Sequence, residues 1–482
     1  MPIDPATCDR IARAALKATR APGAALAVVT PEGVYTGAYG LKAFDGEEAV
    51  TTDTVFAIAS TTKAFTTAAM AMLVSEGKMA WDDPVRKHLP EFRLSDPLAD
   101  ANVTLRDLVC HRTGLPRHDM LWFRAPWGRS EFLRRVGSAK LTAGFRAKYQ
   151  YQNICFTAAG EAVARTAGFG CFEEFAHARI FTPLGMANAN FTNEETLARD
   201  HALPHRREKS KTERLEWRFD DIGGAGGIRA SVNDLVPWLR FQLSGGLGPD
   251  GERLVDEKAL RETHLPHMVV PQDDESRLVY PETVQTSYAL GWSVMDYRGG
   301  HRLLTHGGTL NGFRSIVTLA PDRGVGVAVL SNMYSHAVEI TRCGVLDHLL
   351  GLPPRDWAGV YAARVRKAEA DAKQRKQERR AKRHRGTRPS LALDAFAGTY
   401  EDAAYGPATV TREGNALRLA WSTFDVPLKH WHHDIFVTAT DDPDFREVEV
   451  QFVLSSAGES STLRLLDTDF ARTAPPPAPA SP

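Results

Sequence analysis

The pattern of apolar and polar residues predicts strands at both ends of the first 350 residues and helices between them. An amphipathic helix over residues 4–19 is followed by a hairpin, because two apolar runs flank the turn residues Pro31 to Gly33. These runs predict strands at residues 24–29 and 33–39, and strands return at 288–294, 302–305, 315–319 and 324–331. This order favours an α+β fold in which both ends build one antiparallel sheet, with helical layers and an all-helical insert.

Helical spacing dominates the middle of the chain. Residues 60–76 place Phe65, Ala68 and Met72 on one face of a helix, and Thr104 with Asp107 predicts a capped short helix. A glycine-rich turn at residues 223–227 precedes a helix that is capped by Ser231 and runs to Leu243. A phosphate-binding loop is the alternative for this turn, and it is disfavoured because no G-x-x-x-x-G-K-[ST] pattern accompanies it.

Beyond residue 352 the pattern changes twice. Residues 364–385 are charged and have hardly any apolar face, which predicts a solvated linker helix, with nucleic-acid binding by Lys382 to Arg385 as the sharper alternative. Short alternating strands follow at residues 398–400, 408–411, 416–421, 424–428, 435–438, 447–454 and 461–466. They predict a small antiparallel barrel. The predicted domains are 1–352, a linker 353–389, a barrel 390–470 and a disordered tail 471–482.

Composition narrows the classes of partner. The chain has 482 residues, 43% of them hydrophobic, and a formal net charge of zero, so no global field attracts nucleic acid or an anionic membrane. The first residues lack a basic, apolar leader and no run of eighteen apolar residues occurs, which predicts a cytoplasmic protein. The five cysteines are scattered without C-x-x-C spacing and suggest neither a disulfide framework nor a zinc site.

Ser60 and Lys63 open the helix that follows the first hairpin. They are one turn apart, so the hydroxyl and the amine share a face, and burial of the lysine would lower its pKa and make it a base for Ser60. The S-x-x-K pattern is weak alone, because Ser75 and Lys78 also match it. That second pair ends the same helix, where Gly77 is suited to a C-terminal stop, and we interpret it as structural.

Two later segments offer the partners that a nucleophilic serine needs. Tyr151 and Asn153 would point to one side of an extended segment before a helix. His306 is predicted to end a strand, while Gly307 and Gly308 let a substrate approach and leave the Thr309 N–H as an oxyanion donor. Each of these residues also has a purely structural explanation: Tyr151 could be a core tyrosine, Asn153 a helix N-cap and His306 to Gly308 a simple turn. We expect a site because all of them occur together with Ser60 and Lys63.

In their order and spacing, Ser60-Thr-Thr-Lys63, Tyr151-Gln-Asn153 and His306-Gly-Gly308 resemble the three motifs of serine β-lactamase-like hydrolases. This family includes class C β-lactamases, D,D-peptidases, D-aminopeptidases and esterase relatives. The C-terminal unit, with Phe396 to Tyr400 and His430 to Asp434, resembles the lipocalin-like domain of some members. No G-x-S-x-G elbow occurs, which argues against an α/β-hydrolase.

The resemblance implies a role for each residue. Ser60 attacks the carbonyl, Lys63 and Tyr151 share the base role, and Asn153 holds the substrate. The N–H groups of Ser60 and Thr309 form the oxyanion hole, and Tyr151 activates the hydrolytic water. His306 departs from penicillin-recognising members, which carry lysine there to pair with a substrate carboxylate. It could instead hydrogen-bond Tyr151 and tune the pKa of that phenol.

We therefore predict a serine hydrolase that cleaves amides or peptides, D-residue peptides included, through an acyl-enzyme on Ser60. A carboxylesterase and a catalytically silent scaffold are the alternatives. No cofactor and no metal are predicted, because alternation along a strand would separate His432 from His433 and aromatic packing is favoured for that cluster. The predicted partner is a small-molecule or peptide substrate, with neither nucleic acid nor membrane, and a homo-oligomer stays open.

Overall fold

A computed structural model describes residues 2–208, 211–217 and 221–474, which fall into two compact units. The first unit contains Met1–His118 and Lys140–Arg366, and the second contains Asp119–Ala139 and Lys367–Pro482. The fold is α+β, as predicted, with a main eight-stranded antiparallel sheet and two two-stranded sheets in the described part of the first unit, and a closed antiparallel barrel in the second. No helix in the described ranges is both long and apolar enough to cross a bilayer.

The strands of the first unit are β1 (Gly23–Thr30), β2 (Gly33–Gly40), β3 (Phe56–Ala57), β4 (His205–Glu208), β5 (Lys211–Arg214), β6 (Arg229–Ala230), β7 (Met268–Val269), β8 (Thr286–Tyr288), β9 (Ser293–Tyr297), β10 (His301–Leu310), β11 (Phe313–Ala320) and β12 (Val325–Ser331). Those of the second unit are β13 (Gly398–Asp402), β14 (Gly406–Glu413), β15 (Ala416–Trp421), β16 (Phe424–His432), β17 (Ile435–Thr438), β18 (Glu449–Leu454), β19 (Ser460–Leu465) and β20 (Thr468–Ala474).

The α-helices are α1 (Pro5–Thr19), α2 (Thr62–Ser75), α3 (Val85–His88), α4 (Pro97–Asn102), α5 (Leu105–Val109), α6 (Arg129–Arg135), α7 (Asn153–Ala167), α8 (Phe172–Ala176), α9 (Thr182–Leu184), α10 (Asn193–Leu197), α11 (Val232–Leu243), α12 (Glu257–Glu262), α13 (Asp274–Val279), α14 (Ala337–Leu349), α15 (Trp357–Ala381) and α16 (Leu393–Phe396). Short 3-10 turns and one π-helical turn, His177–Phe181, lie between some of them.

The main sheet has the strand order β2-β1-β12-β11-β10-β9-β8-β7, so β1 from the beginning of the first unit pairs with β12 from near its end. Every residue of β1 is buried, because helices cover both faces of the sheet. Leu26 and Val28 share a core with α1 and α14 on one face, while Leu239 of α11 lies against Gly326 on the other. The insert between β3 and β7 is mainly helical and also contains the β4–β5 hairpin.

In the second unit, β13 to β20 pair in sequence order and close into a barrel. Residues 119–139 belong to this unit although the surrounding sequence belongs to the first. The guanidinium of Arg124 lies 4.3 Å from the ring centre of Phe424 and pairs with Asp442, and its carbonyl accepts a hydrogen bond from Thr423 Oγ1 at 2.8 Å. Residues 119–139 therefore form a segment that binds the barrel.

Three boundaries differ from the sequence predictions. The strand predicted to end at His306 continues to Leu310, because Gly307 and Gly308 pair with β11 instead of breaking the ladder. The barrel has eight strands and not seven, since β20 is needed to close it against β13. Residues 471–474, predicted as part of a disordered tail, lie in that strand, and the rest of the predicted tail lies outside the described residues.

Candidate active site

Ser60 lies in the 3-10 turn Ala59–Thr61, which leads directly into α2. The preceding residue, Ala59, has a φ of 49°, in a left-handed region that a residue with a Cβ seldom adopts. Gly226 lies beside this strained backbone, and a Cβ added to it would lie 3.5 Å from the carbonyl carbon of Ala59. The turn leaves Ser60 partly exposed, whereas α2 beyond it is buried.

Lys63 is fully buried, and its amine contacts three oxygen atoms. Its Nζ lies 3.1 Å from Ser60 Oγ, 2.8 Å from Asn153 Oδ1 and 2.7 Å from the carbonyl oxygen of Ala225. A buried amine requires such partners, because leaving its hydrogen-bonding capacity unused costs free energy. The amine thereby joins α2, α7 and the glycine-rich turn at one point.

The glycine-rich turn at residues 223–227 packs directly on α2. The carbonyl of Gly224 accepts a hydrogen bond from Thr66 Oγ1 at 2.6 Å, and a Cβ on Gly224 would lie 2.8 Å from that same atom. This close approach lets the next residue, Ala225, present its carbonyl to Lys63. Ala225 was not predicted as a site residue, because a backbone carbonyl has no signature in the sequence.

Tyr151 and Asn153 both contact Lys63, but the predicted extended segment ends earlier than expected, because Asn153 is already the first residue of α7. The Lys63 amine lies 4.8 Å from the ring centre of Tyr151, and Asn153 Oδ1 bonds it directly. The cap of α7 is Gln152, whose side chain accepts a hydrogen bond from the Ile154 N–H at 2.8 Å. Because Gln152 caps the helix, the side chain of Asn153 is available to the lysine.

Gly308 brings β10 against the backbone that carries Ser60. A Cβ on Gly308 would lie 2.2 Å from the carbonyl oxygen of Ile58 and 2.3 Å from Ser315 Oγ. Ser315 Oγ donates a hydrogen bond to that same Ile58 carbonyl at 2.6 Å, which fixes the distance between the sheet and the turn. Gly307 has no such restriction, since a Cβ added there would have its nearest neighbouring atom 3.7 Å away.

The register of the β10–β11 hairpin orients the N–H of Thr309. Asn311 and Gly312 form a two-residue turn with φ angles of 44° and 86°, and Leu310 pairs with Phe313 beside it. In such a hairpin the next pair, Thr309 with Arg314, is a non-hydrogen-bonded pair. The Thr309 N–H therefore points away from β11, toward the side on which β9 pairs no further than Thr305.

His306 is a neutral, structurally bonded imidazole. Its Nδ1 bonds the carbonyl of Gly307 at 2.8 Å and must donate, so its Nε2 accepts from the Tyr288 hydroxyl at 2.9 Å. Burial, and then the charge of Lys63, lower the pKa of His306 to about 3. The predicted partner Tyr151 has its ring centre 6.4 Å away, and the hydrogen bond goes instead to Tyr288, which the sequence reasoning missed.

His111 is a second residue that the sequence reasoning missed. Its backbone carbonyl accepts from the N–H of Gln150 at 2.9 Å and its Nδ1 accepts from the N–H of Gln152 at 3.1 Å, so it holds the chain on both sides of Tyr151. Its ring centre lies 4.4 Å from that of Tyr151. Burial, and then the charge of Lys63, hold the pKa of His111 well below its usual value, which favours the neutral ring. The hydrogen bond from the Gln152 N–H then makes Nδ1 the acceptor of that ring.

Comparison with known proteins identifies the family of the chain. A family model described as Beta-lactamase matches residues 8–342, which is more than half of the chain. The chain belongs to the beta-lactamase family. A model described as a domain of unknown function, DUF3471, matches residues 382–475 of this family member. Membership of this family indicates a beta-lactamase-like serine hydrolase. The family does not determine the substrate.

Among the relatives, the unguisins hydrolase ungD of Aspergillus violaceofuscus is 28% identical over 387 residues, which cover 74% of this chain and 67% of that protein. The octameric penicillin-binding protein homologue from Pyrococcus abyssi superposes with a TM-score of 0.65 at 20% identity and covers 97% of this chain and 99% of its own. A class C beta-lactamase gives 0.59 at 19% identity, with 72% and 95% covered. Both solved structures support the fold.

Replacement of Gly308 tests the close approach of β10 in this beta-lactamase family member. Gly308→Ala should lower the rate of acylation by about 100-fold or more, because a Cβ at 2.2 Å from the Ile58 carbonyl must displace the turn that carries Ser60. Gly307→Ala is the matched control and should stay near the wild-type rate. Labelling by a fluorophosphonate, with circular dichroism to verify folding, measures both; equal rates in the two variants would contradict the steric role of Gly308.

Replacement of His111 tests whether it positions Tyr151. His111 has a φ of 61°, which both glycine and asparagine tolerate, so neither variant strains the backbone. His111→Gly removes the acceptor together with the buried ring, while His111→Asn retains an acceptor. We expect kcat to fall at least about 10-fold in His111→Gly with KM little changed, and to recover most of that loss in His111→Asn. Steady-state kinetics on one ester substrate measures both parameters. The same kcat in both variants would contradict a positioning role for the His111 acceptor.

Proposed function

We propose that the protein hydrolyses an amide or peptide bond through an acyl-enzyme on Ser60. The observation that carries this proposal is the position of the Lys63 amine, which contacts the Ser60 hydroxyl, the Asn153 amide and the Ala225 carbonyl together. Two of these three acceptors belong to fixed groups that cannot give up a proton to the amine. The third, Ser60 Oγ, is the one that can.

The amine geometry makes Lys63 a base for one proton. The charge of Lys63 that acts on His306 and His111 belongs to the protonated form of the lysine, and we assign the base role to the neutral amine that remains when one proton is lost. That amine has two N–H groups and one lone pair, and the Asn153 oxygen and the Ala225 carbonyl accept from the two N–H groups. The lone pair then points to Ser60 Oγ and can take the hydroxyl proton as the oxygen attacks the substrate carbonyl carbon. Tyr151, whose ring contacts the same amine, is the second proton carrier in this proposal.

The oxyanion that forms on the carbonyl oxygen needs donors near Ser60. We assign this role to the N–H groups of Ser60 and Thr309, of which the second points away from β11. When the tetrahedral intermediate collapses, the bond to the leaving amine breaks and the amine takes a proton from Lys63 or Tyr151. Water then attacks the Ser60 ester with Tyr151 as its base, which releases the acid and restores the serine.

The neutral state of His306 limits which substrates the site can recognise. With a pKa of about 3 it carries no positive charge at neutral pH, so it cannot pair with a substrate carboxylate as the lysine of penicillin-recognising members does. This favours substrates without a free carboxylate at that position, such as internal or cyclic amides, with peptides containing D-residues among the candidates. The relative described as an unguisins hydrolase supports a hydrolytic reaction. The same neutrality favours small esters, which makes a carboxylesterase the second candidate.

Covalent labelling tests the proposed nucleophile and base. A fluorophosphonate should label the wild-type protein, and both Ser60→Ala and Lys63→Ala should lose labelling and lower kcat/KM by about 10⁴-fold or more while remaining folded. The chain offers matched controls in the other S-x-x-K pair: Ser75→Ala and Lys78→Ala should label normally. D- and L-aminoacyl anilides and p-nitrophenyl esters then separate the amidase from the esterase. Labelling that survives in Ser60→Ala would reject the nucleophile, and absence of labelling and turnover in the wild type would favour the scaffold.

The pH dependence of KM tests the assignment of His306. Its pKa lies below the usual value near 6.5, so the ring stays neutral as pH falls from 8 to 5 and gains charge only near pH 3. The KM for an α-carboxylate substrate, compared with that of its amide, should therefore not improve toward pH 5. A fall in KM with a midpoint near pH 6.5 would contradict a neutral His306. Arg117→Gln serves as the comparison, because the Arg117 guanidinium lies 5.0 Å from the Tyr151 ring centre and is a permanent charge.

A further inference from the structure

Three histidines meet at one end of the barrel unit. One potential ligand atom from each of His384, His432 and His433 lies within 4.8 Å of the other two. The rings of His384 and His432 are parallel, with centres 5.5 Å apart, and the ring of His433 lies 5.3 Å from His384 and 5.4 Å from His432. Sequence alternation predicted that His432 and His433 would face opposite sides. That expectation is wrong, because β16 ends at His432 and His433 has a left-handed φ of 45°.

The two segments that carry these histidines are joined by hydrogen bonds of the backbone. The N–H of His433 donates to Thr387 Oγ1 at 2.9 Å, and Arg383 Nε donates to the carbonyl of Trp431 at 2.7 Å. The N–H of His384 donates to His432 Nδ1 at 3.4 Å, which leaves Nε2 of His432 as its ring nitrogen for a metal ion. The residues on either side of the cluster are therefore fixed to each other, which lowers the entropic cost of bringing three imidazoles to one ion.

The spacing suits a transition-metal ion after small side-chain movements. Nitrogen atoms bound at about 2.1 Å to a tetrahedral ion lie roughly 3.4 Å apart, so ring nitrogens within 4.8 Å need to approach by little more than 1 Å. His384 and His433 are exposed and can rotate to provide this. Three imidazoles without a carboxylate suit Zn²⁺, Ni²⁺ or Cu²⁺, and they do not suit Mg²⁺ or Ca²⁺, which prefer oxygen ligands.

The local charges are compatible with a cation. The nearest arginine in sequence, Arg383, places its guanidinium 4.4 Å from the ring centre of Trp431, where its contacts hold it. Lys382 and Arg385 are exposed, and solvent and salt screen their repulsion.

We propose that His384, His432 and His433 bind one divalent transition-metal ion. The fourth position of the ion faces solvent and is taken by water. Bound there, the ion joins residues 382–388, which follow α15, to the hairpin between β16 and β17, and so resists separation of that segment from the barrel. All three histidines belong to the second unit, whereas Ser60 belongs to the first.

Direct metal binding by the full-length protein tests the proposal. In calorimetry at pH 7.5 with Zn²⁺, we expect one ion per chain at this site and at least about a 10-fold loss of affinity in His384→Ala, His432→Ala or His433→Ala. Binding should persist in excess Mg²⁺ and disappear at pH 5, where protonated imidazoles cannot bind. Co²⁺ should give the visible absorption of a bound nitrogen-ligated ion, which the His432→Ala variant should lack.

A control variant and a proteolysis experiment complete the test of metal binding. His301→Ala, a histidine of the other unit, is the control for unspecific binding and should leave the affinity unchanged. Zn²⁺ should slow tryptic cleavage after Lys382 to Arg388 in the wild type and not in His432→Ala, with a small peptide substrate confirming that trypsin itself stays active. Unchanged Zn²⁺ affinity in all three histidine variants, or absence of a bound ion at saturating Zn²⁺, would overturn the proposal, while Ser60 labelling remains a separate test of the hydrolase.

Discussion

A buried amine with three oxygen partners is the constraint on which the hydrolase unit depends. Lys63 has no exposure to water, so each of its hydrogen-bonding positions must be satisfied by the protein. The serine is in its own turn of chain, the asparagine is at the start of α7 and the carbonyl is in the glycine-rich turn. Movement of any one of these elements would leave a polar group unsatisfied in the core, and the packing of α2 against its neighbours is therefore coupled to the reactive group.

The second constraint is steric, and it comes from the sheet. Gly308 has no room for a side chain, and Ser315 fixes the Ile58 carbonyl from the adjacent strand. Together they hold β10 against the turn that carries Ser60, so this serine is located between a rigid sheet and a buried helix. The left-handed Ala59 is strained backbone that these surroundings maintain. Rigid elements on both sides explain how a partly exposed serine can keep a defined orientation.

Residue types were easier to predict from the sequence than the contacts that organise them. The sequence predicted these candidate residues because their side-chain chemistry and their order can be read directly from it: Ser60, Lys63, Tyr151, Asn153 and the His306 segment. Ala225 was not, since it contributes only a carbonyl, and His111 was not, since it acts through the backbone beside Tyr151. The bond from His306 to Tyr288 was also missed, because Tyr288 lies in a different strand and only the sheet brings the two together. The alternation rule failed at His433 for a local reason, a turn residue directly after a strand.

Residues 119–139 bear on how the barrel could have been gained or lost in evolution. The sequence suggests a module appended at the C-terminus, which gene fusion could add or remove at one point. The chain instead passes between the two units three times, after His118, after Ala139 and after Arg366. A gene that lost everything beyond residue 366 would keep Arg124 and its neighbours without Phe424 and Asp442 to bind. Recombination would have to exchange two separate coding stretches together, so the enzyme and its barrel are expected to be inherited as one piece.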